Sequence, residues 1–123
     1  MDTRYLIVDY NESFLEIVRG LLEREGLNGV SVASSYADAL RLFEALRPDV
    51  VLVDIFLGDE SGLKLARRLA EGKAATVILI STHAEADLGD LIAESPAAGF
   101  LPKADVSAEA IRRIVEANGR RDT

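Results

Sequence analysis

Short apolar runs, rich in β-branched residues, alternate along the chain with longer amphipathic stretches. The runs cover residues 5–8, 30–33, 50–53, 77–80 and 99–101. The first, third and fourth runs are apolar at successive positions, which is typical of strands that are buried on both faces of a parallel sheet. The second and fifth runs are weaker, so we expect them at the edges of the sheet.

The first two amphipathic stretches carry clear start and stop signals for helices. Asn11 is a suitable N-cap for the first helix, and Gly26 is a suitable residue to end it. Ser35 and Asp38 have the spacing of a capping box for the second helix, which Pro48 closes.

Three further helices are predicted later in the chain. They cover residues 63–70, about 86–94, and the stretch from Ser107 to Asn118-Gly119. In the fourth helix, Leu88, Leu91 and Ile92 are expected to face inward. Strands joined by crossovers of this length run parallel, with helices on both faces, so we predict a single α/β domain. Its limits are expected at residues 1–119, followed by a loose tail or the start of a linker at 120–123.

Composition narrows the function classes. The chain has 123 residues, a formal net charge of -7 and no cysteine. Thiol catalysis and cysteine-based zinc sites are therefore excluded, and the acidic balance disfavours nucleic acid. We found no apolar stretch long enough for a membrane and no signal peptide. These features predict a domain in the cytoplasm that binds neither nucleic acid nor membrane.

Polar residues follow four of the five predicted strands. Asp9 follows the first, Asp54 ends the third, Ser81 ends the fourth and Lys103 lies just past the fifth. Ligands bind open parallel sheets beyond the carboxyl ends of the strands. If the strand order is 2-1-3-4-5, the two carboxylates are neighbours at that edge.

Two close carboxylates repel each other unless a cation joins them. Oxygen ligands beside a phosphate favour Mg²⁺, and a hydroxyl and an ammonium suit phosphoryl oxygens. The group therefore favours phosphoryl transfer onto a carboxylate. Taken singly, each residue also has a simpler explanation, as a helix cap, a turn residue or a surface lysine. The hypothesis of phosphoryl transfer rests on the fact that all four polar residues lie at the carboxyl ends of predicted strands.

Four stretches make the sequence resemble the receiver domain of two-component response regulators: "LIVDYNESFLEIV", "PDVVLVDIFLGDESGLKLARRL", "VILISTH" and "AAGFLPKADVSAEAI". The key residues are also well spaced, with 27 positions from Asp54 to Ser81 and 22 from Ser81 to Lys103. The resemblance covers nearly the whole chain. It implies a flavodoxin-like doubly wound (βα)5 fold with the strand order 2-1-3-4-5.

The resemblance also implies roles for individual residues. Asp54 would accept a phosphoryl group from a histidine kinase or phosphotransfer protein. Asp9, Asp54 and the backbone carbonyl of Phe56 would hold Mg²⁺. Ser81 and Lys103 would bind the phosphoryl oxygens. The protein would act as a phosphoacceptor with self-catalysed transfer and dephosphorylation, and not otherwise as an enzyme.

Switching in the family implies further expectations. Ser81 would move toward the phosphoryl group, and Phe100 matches the family's switch aromatic, although an ordinary core role is compatible with the same position. The changed face would comprise helix four, strand five and helix five. Its charged side chains would be Asp87, Asp90, Glu94, Arg112 and Arg113, which are equally explained as a solvated surface. An output domain or a second copy of the chain is the expected partner of this face.

Tyr10 departs from the family pattern. The family has two adjacent acids here, the second being the direct metal ligand, whereas Asp9 is followed by a phenol. A phenol is a poor ligand for Mg²⁺, so we expect weaker Mg²⁺ binding. Alternatively, Tyr10 packs over the pocket and covers Asp54. His83, two positions after Ser81, is interpreted as a loop residue or as a residue that tunes phosphoryl lifetime.

Three other functions compete with the phosphorylation switch. The domain could be a pseudo-receiver, a constitutive protein-binding module disabled by Tyr10. An aspartyl phosphatase of the haloacid dehalogenase type would need an acid where Phe56 stands. A flavin carrier would need a first loop rich in Ser, Thr and Gly, which "DYNES" is not. The switch is the preferred hypothesis, because Asp54, Ser81 and Lys103 are all present.

Overall fold

The computed structural model describes residues 3–72 and 74–121, and side chains in the last helix as far as residue 119. The sheet consists of the strands β1 (Tyr5–Val8), β2 (Val30–Ala33), β3 (Val50–Asp54), β4 (Thr76–Ser81) and β5 (Gly99–Pro102). All neighbours pair in parallel, in the order β2-β1-β3-β4-β5. The predicted order 2-1-3-4-5 is confirmed, as are the edge positions of the two weaker runs.

In the part of the chain that the structure describes, five α-helices connect or follow the strands. They are α1 (Glu12–Arg24), α2 (Tyr36–Leu46), α3 (Gly62–Ala70), α4 (Gly89–Ala93) and α5 (Ala108–Arg121). The predicted caps are present, since Asn11 Oδ1 accepts the N–H of Phe14 and Ser35 Oγ accepts the N–H of Asp38. These bonds satisfy N–H groups that have no partner within the helix.

The core forms two layers, one on each face of the sheet. Alternate strand residues point to opposite faces. Leu6 and Val8 of β1 therefore join the layer under α2 and α3, whereas Ile7 joins the layer under α1 and α5. β3 is buried along its whole length. Each fully buried Leu or Ile contributes about 1.5–3 kcal/mol, so the sheet is a rigid platform for the residues at its edge.

The fourth helical segment differs from the prediction. A 3₁₀ turn covers Glu85–Leu88, and α4 has only five residues after it. Leu88 is buried and Ile92 is half-buried against the core, but Leu91 is 40% exposed, so its predicted inward orientation was wrong. A 3₁₀ turn winds more tightly than an α-helix and rotates the residues that follow it.

The last helix extends further than predicted. α5 continues through Asn118 and Gly119 to Arg121, so the predicted end at these two residues was wrong. An exposed helical glycine costs only about 1 kcal/mol relative to alanine, and no proline follows in the sequence to stop the helix. The first two residues of the predicted loose tail are therefore helical, and residues 122 and 123 lie outside the described residues. The domain limits remain a prediction.

Among the helices of residues 3–72 and 74–121, none is both long enough and apolar enough to cross a membrane.

Candidate functional site

Two carboxylates lie side by side at the carboxyl edge of the sheet. Val8 of β1 pairs with Val53 of β3, so Asp9 and Asp54 follow at matching positions on neighbouring strands. Asp9 is 0% exposed and Asp54 is 5% exposed. The strand order thus brings together two acids that are far apart in the sequence, as predicted.

Lys103 joins the two carboxylates. Its Nζ lies 2.5 Å from Asp9 Oδ2 and 2.9 Å from Asp54 Oδ2. The other oxygen of each acid accepts a backbone N–H two residues further on: Asp9 Oδ1 from Asn11 at 2.8 Å, and Asp54 Oδ1 from Phe56 at 3.1 Å. Each acid is therefore held by its own loop through one oxygen and faces the ammonium with the other.

Burial controls the electrostatics of this group. Burial raises the pKa of Asp9, and Asp54 adds to the effect, while Lys103 and the Asn11 N–H oppose it. For Lys103, burial lowers the pKa, but the bonds and charges of Asp54 and Asp9 outweigh it, so the net pKa is raised. The ammonium is thus firmly protonated, whereas the charge on Asp9 is unfavourable in its surroundings.

One oxygen of this group depends on Lys103 alone. Asp9 Oδ2 is buried and, apart from its short contact with the Lys103 ammonium, has no hydrogen-bond partner among the described residues. Such an acceptor suits a metal ion, and Mg²⁺ takes few protein carboxylates and keeps several waters. Asp9 and Asp54 fit this pattern, with the carbonyl of Phe56 as the predicted third ligand.

Few acidic side chains lie close enough together to bind a metal ion. Within residues 3–72 and 74–121, no cluster of three or more Asp, Glu, His or Cys side chains forms a metal-binding group. In the first loop, Tyr10 follows Asp9 at the position where the resemblance leads us to expect a second acid. Binding of Mg²⁺ therefore remains a prediction that rests on two carboxylates.

The side chain of Tyr10, which follows Asp9 in the chain, is 66% exposed. Its ring packs on Gly58, where a β-carbon would lie 2.9 Å from Cδ1 and Cε1 of the ring. Gly58 has a φ of +62°, and it belongs to a small hairpin formed by Phe56–Leu57 and Glu60–Ser61. The ring thus bridges the loops that follow β1 and β3.

Ser81 is buried at the end of β4, one position beyond the residue that pairs with Asp54. Its Oγ accepts the backbone N–H of His83 at 3.0 Å and lies 3.3 Å from His83 Nδ1. The His83 ring in turn contacts the ring of Phe56, with centroids 5.1 Å apart. In the described residues, the hydrogen bonds of the Ser81 hydroxyl stay within its own loop and do not reach Asp54.

Phe100 on β5 is 9% exposed. It packs in the core layer that also contains Leu88 and Leu79, and it pairs in register with Leu79. The side chain is therefore directed into the protein. This placement agrees with a core role, and its role as a switch residue remains a prediction.

Sequence reasoning missed two contributions to this site. The Phe14 ring lies against the ammonium of Lys103, and Gly62 lies against the backbone of Asp54. Phe14 follows Asn11 at the cap spacing, but nothing local connects it to a lysine near the end of the chain. The contact of Gly62 could not be predicted, because a glycine in a sequence does not reveal what lies beside it.

A sequence model of the response regulator receiver domain matches residues 5–116. Among curated proteins, the response regulator UvrY of Escherichia coli O6:H1 is 32% identical over 111 residues, which cover 89% of this chain and 51% of that protein. The chain thus spans about half the length of this relative.

Solved structures show the same fold. A response regulator from Burkholderia pseudomallei, described with a phosphorylated aspartic acid, a calcium ion and citrate, is 26% identical, with a TM-score of 0.79 over 98% of this chain and 73% of that one. The signal receiver domain of the response regulator NarL from Mycobacterium tuberculosis is 29% identical, with a TM-score of 0.80 over 96% of this chain and 97% of that one. The chain therefore belongs to the response regulator receiver domains of two-component signal transduction.

Proposed function

We propose that this domain is a phosphorylation-dependent switch in which Asp54 accepts a phosphoryl group from a phosphohistidine of a kinase or phosphotransfer protein. The observation that carries the proposal is the shared ammonium: Lys103 contacts Asp54 and Asp9 together at the carboxyl edge of the sheet. A carboxylate in this position has a nucleophilic oxygen beside a cation that can neutralise incoming phosphate charge.

The transfer forms a P–O bond to a carboxylate oxygen of Asp54 and breaks the P–N bond of the donor. The leaving imidazole nitrogen keeps the bonding electron pair, and the second ring nitrogen already carries a proton. Lys103 then moves its contact from the carboxylate to a phosphoryl oxygen. The same residues support hydrolysis of the acyl phosphate, so the chemistry is limited to self-catalysed transfer and dephosphorylation.

Asp9 and Asp54, with the carbonyl of Phe56, would hold Mg²⁺, which supplies charge neutralisation at the phosphoryl oxygens. The Burkholderia relative supports this arrangement, since it is described with both a phosphorylated aspartic acid and a calcium ion. With Tyr10 in place of a second acid, the affinity for Mg²⁺ is lower than in a receiver that has both acids.

Phosphorylation of Asp54 changes the surface formed by α4, β5 and α5. Ser81 exchanges its bond within the loop for a phosphoryl oxygen, and Phe100 follows into the space. The exposed charges predicted for this face are Asp87, Asp90 and Glu94 on the fourth helical segment and Arg112 and Arg113 on α5. The helix α5 also exposes Glu109, which pairs with Arg113, and Glu116. An output domain or a second copy of the chain binds there. The switch works in the cytoplasm, where ATP supplies histidine kinases.

The second candidate is a pseudo-receiver that binds a partner without phosphorylation. The position of Tyr10 favours this alternative, because its ring is seated on Gly58 and supplies no carboxylate to the site. Such a domain would keep the fold and the Lys103 ion pairs as structural features alone.

Intact mass after incubation with Mg²⁺ and a small acyl phosphate separates the two candidates. The wild type is expected to gain one phosphoryl group, and Asp54→Asn is expected to gain none. If the wild type gains none while Tyr10→Asp gains one, Tyr10 is the cause and the domain is a pseudo-receiver. An adduct that persists in Asp54→Asn would refute the assignment of Asp54.

A further inference from the structure

The ammonium of Lys103 has a third neighbour besides the two carboxylates. Its Nζ lies over the ring of Phe14, 5.0 Å from the ring centroid. The face of an aromatic ring carries negative charge density and attracts a cation within about 6 Å. The side chain of Lys103 is only 14% exposed, so water competes little with this attraction.

Hydrogen bonds hold Phe14 in place relative to Asp9. The Phe14 N–H donates to Asn11 Oδ1 at 3.1 Å, and the Asn11 N–H donates to Asp9 Oδ1 at 2.8 Å. The ring itself packs against the apolar layer under α1 and α5. Two of the three groups around the Lys103 ammonium are thus tied to each other through one helix cap.

The need for such a neighbour follows from the side chain of lysine. An ammonium is a point charge on a flexible stem, and it has no planar geometry that would fix its direction. Asp9 and Asp54 approach Nζ from the sheet edge, and the ring borders it at the start of α1. Leucine at position 14 would fill much of the same volume but would offer no attraction to the charge.

We propose that Phe14 is a positioning residue for Lys103. Its ring keeps the ammonium between Asp9 and Asp54 and, once Asp54 is phosphorylated, beside a phosphoryl oxygen. The placement of Lys103 in the resting protein follows from the geometry alone. The effect on phosphoryl transfer rests on the proposed function of Asp54.

NMR of lysine-labelled protein tests the placement without any phosphoryl donor. The sequence contains three lysines, so the spectrum is simple, and Lys103→Arg assigns the signal of interest. In the wild type, the Hε protons of Lys103 are expected upfield of those of the exposed Lys64, with a nuclear Overhauser effect to the Phe14 ring. Absence of that effect in the wild type would overturn the proposal, even if no variant folds.

Two substitutions at position 14 separate attraction from packing. Phe14→Leu is expected to abolish the upfield shift, and Phe14→Tyr is expected to retain it, because tyrosine keeps a π face in the same place. Both proteins should show the far-UV circular dichroism of the wild type. An unchanged Lys103 shift in folded Phe14→Leu would overturn the proposal.

The rate of phosphorylation by a small acyl phosphate at saturating Mg²⁺ tests whether Phe14 also affects phosphoryl transfer to Asp54. Phe14→Leu is expected to be roughly three- to fivefold slower than the wild type, and Phe14→Tyr close to it. Ile17→Ala serves as the matched control, since Ile17 is on α1 but 69% exposed. A rate in Phe14→Leu equal to that of the wild type would refute the positioning role in transfer. If the wild type accepts no phosphate, the proposed function fails, while the NMR result still decides the placement of Lys103.

Discussion

Gly62, the first residue of α3, lies directly against the backbone carbonyl of Asp54. A β-carbon at Gly62 would be 1.7 Å from that oxygen. The Gly62 N–H also donates to the carbonyl of Ile55 at 3.0 Å. Helix α3 therefore begins in contact with the backbone of the proposed phosphoacceptor, which only a residue without a side chain permits.

Gly62→Ala is expected to destabilise the domain and to displace Asp54. The added methyl group meets backbone, which cannot rotate away as a side chain can. Overpacking of this kind costs about 1–3 kcal/mol or more, so the melting temperature should fall by roughly 5–15 °C. Thermal unfolding followed by circular dichroism measures the loss, and intact mass measures the accompanying fall in phosphorylation.

Gly72→Ala is the matched control for this experiment. Apart from the glycine itself and its two chain neighbours, no described residue has an atom within 4 Å of a β-carbon built at Gly72. Its melting temperature should stay close to that of the wild type. An equal loss in both variants would show that the close approach to Asp54 is not the cause.

Tyr10→Asp is expected to strengthen Mg²⁺ binding. The new carboxylate adds a negative charge beside Asp9 and Asp54, and an attraction of about 1.4 kcal/mol at a partly screened site corresponds to about tenfold in affinity. Isothermal titration calorimetry with MgCl₂ measures the dissociation constants of the variant and the wild type.

Two further variants separate charge from shape at this position. Tyr10→Phe keeps the ring on Gly58, and Tyr10→Asn removes the ring without adding charge. Neither should gain the tenfold affinity. The charge argument is refuted if Tyr10→Asn binds Mg²⁺ as tightly as Tyr10→Asp, since opening the site would then be sufficient.

Asp9→Asn is expected to raise the melting temperature by a few degrees at pH 7 in EDTA. Burial raises the pKa of Asp9 above its ordinary value of 3.8. Such a group favours folding only while protonated, so its contribution is complete below the unfolded pKa and is lost as the pH rises through the folded pKa. Ionised Asp9 therefore lowers stability at neutral pH, and asparagine removes that cost.

The pH dependence of the melting temperature of Asp9→Asn tests whether ionised Asp9 lowers the stability of the wild type. The advantage of Asp9→Asn over the wild type should shrink as the pH is lowered through the raised pKa of Asp9, because Asp9 itself then takes up a proton. Lys103 contributes equally throughout this range, because its raised pKa keeps it charged below 10.5. An Asp9→Asn protein that melts below the wild type at pH 7 would contradict the argument.

Lys103→Met is expected to destabilise the metal-free protein. It leaves Asp9 and Asp54 buried together without a cation, and breaking a buried ion pair in this way costs about 3–5 kcal/mol. Mg²⁺ should restore part of the loss, since it binds the folded state at the same oxygens. The measurement is the melting temperature with EDTA and with excess MgCl₂. A smaller response to Mg²⁺ in the variant than in the wild type would count against a shared cation site.

The sheet could be predicted from the sequence because its signals are local. An apolar run such as 50–53 shows within a few residues that a strand is buried on both faces, and Asn11 and Ser35 are caps whose partners lie three positions away. The convergence of Asp9, Asp54 and Lys103 also followed, because the carboxyl ends of parallel strands share one edge. The 3₁₀ turn at Glu85–Leu88, before α4, could not be predicted, since the periodicity of the segment does not reveal how tightly the backbone winds.

The sequence by itself determined the α/β fold and the acids at the edge of the sheet. The resemblance to receiver domains also determined the strand order. Only the tertiary structure decided how these residues are held. The Tyr10 ring rests on Gly58, Lys103 lies over Phe14, and Ser81 bonds within its own loop. The first two contacts join residues that are distant in the chain. Periodicity and capping describe neighbours in sequence, whereas these contacts depend on how separate loops pack at one edge of the sheet.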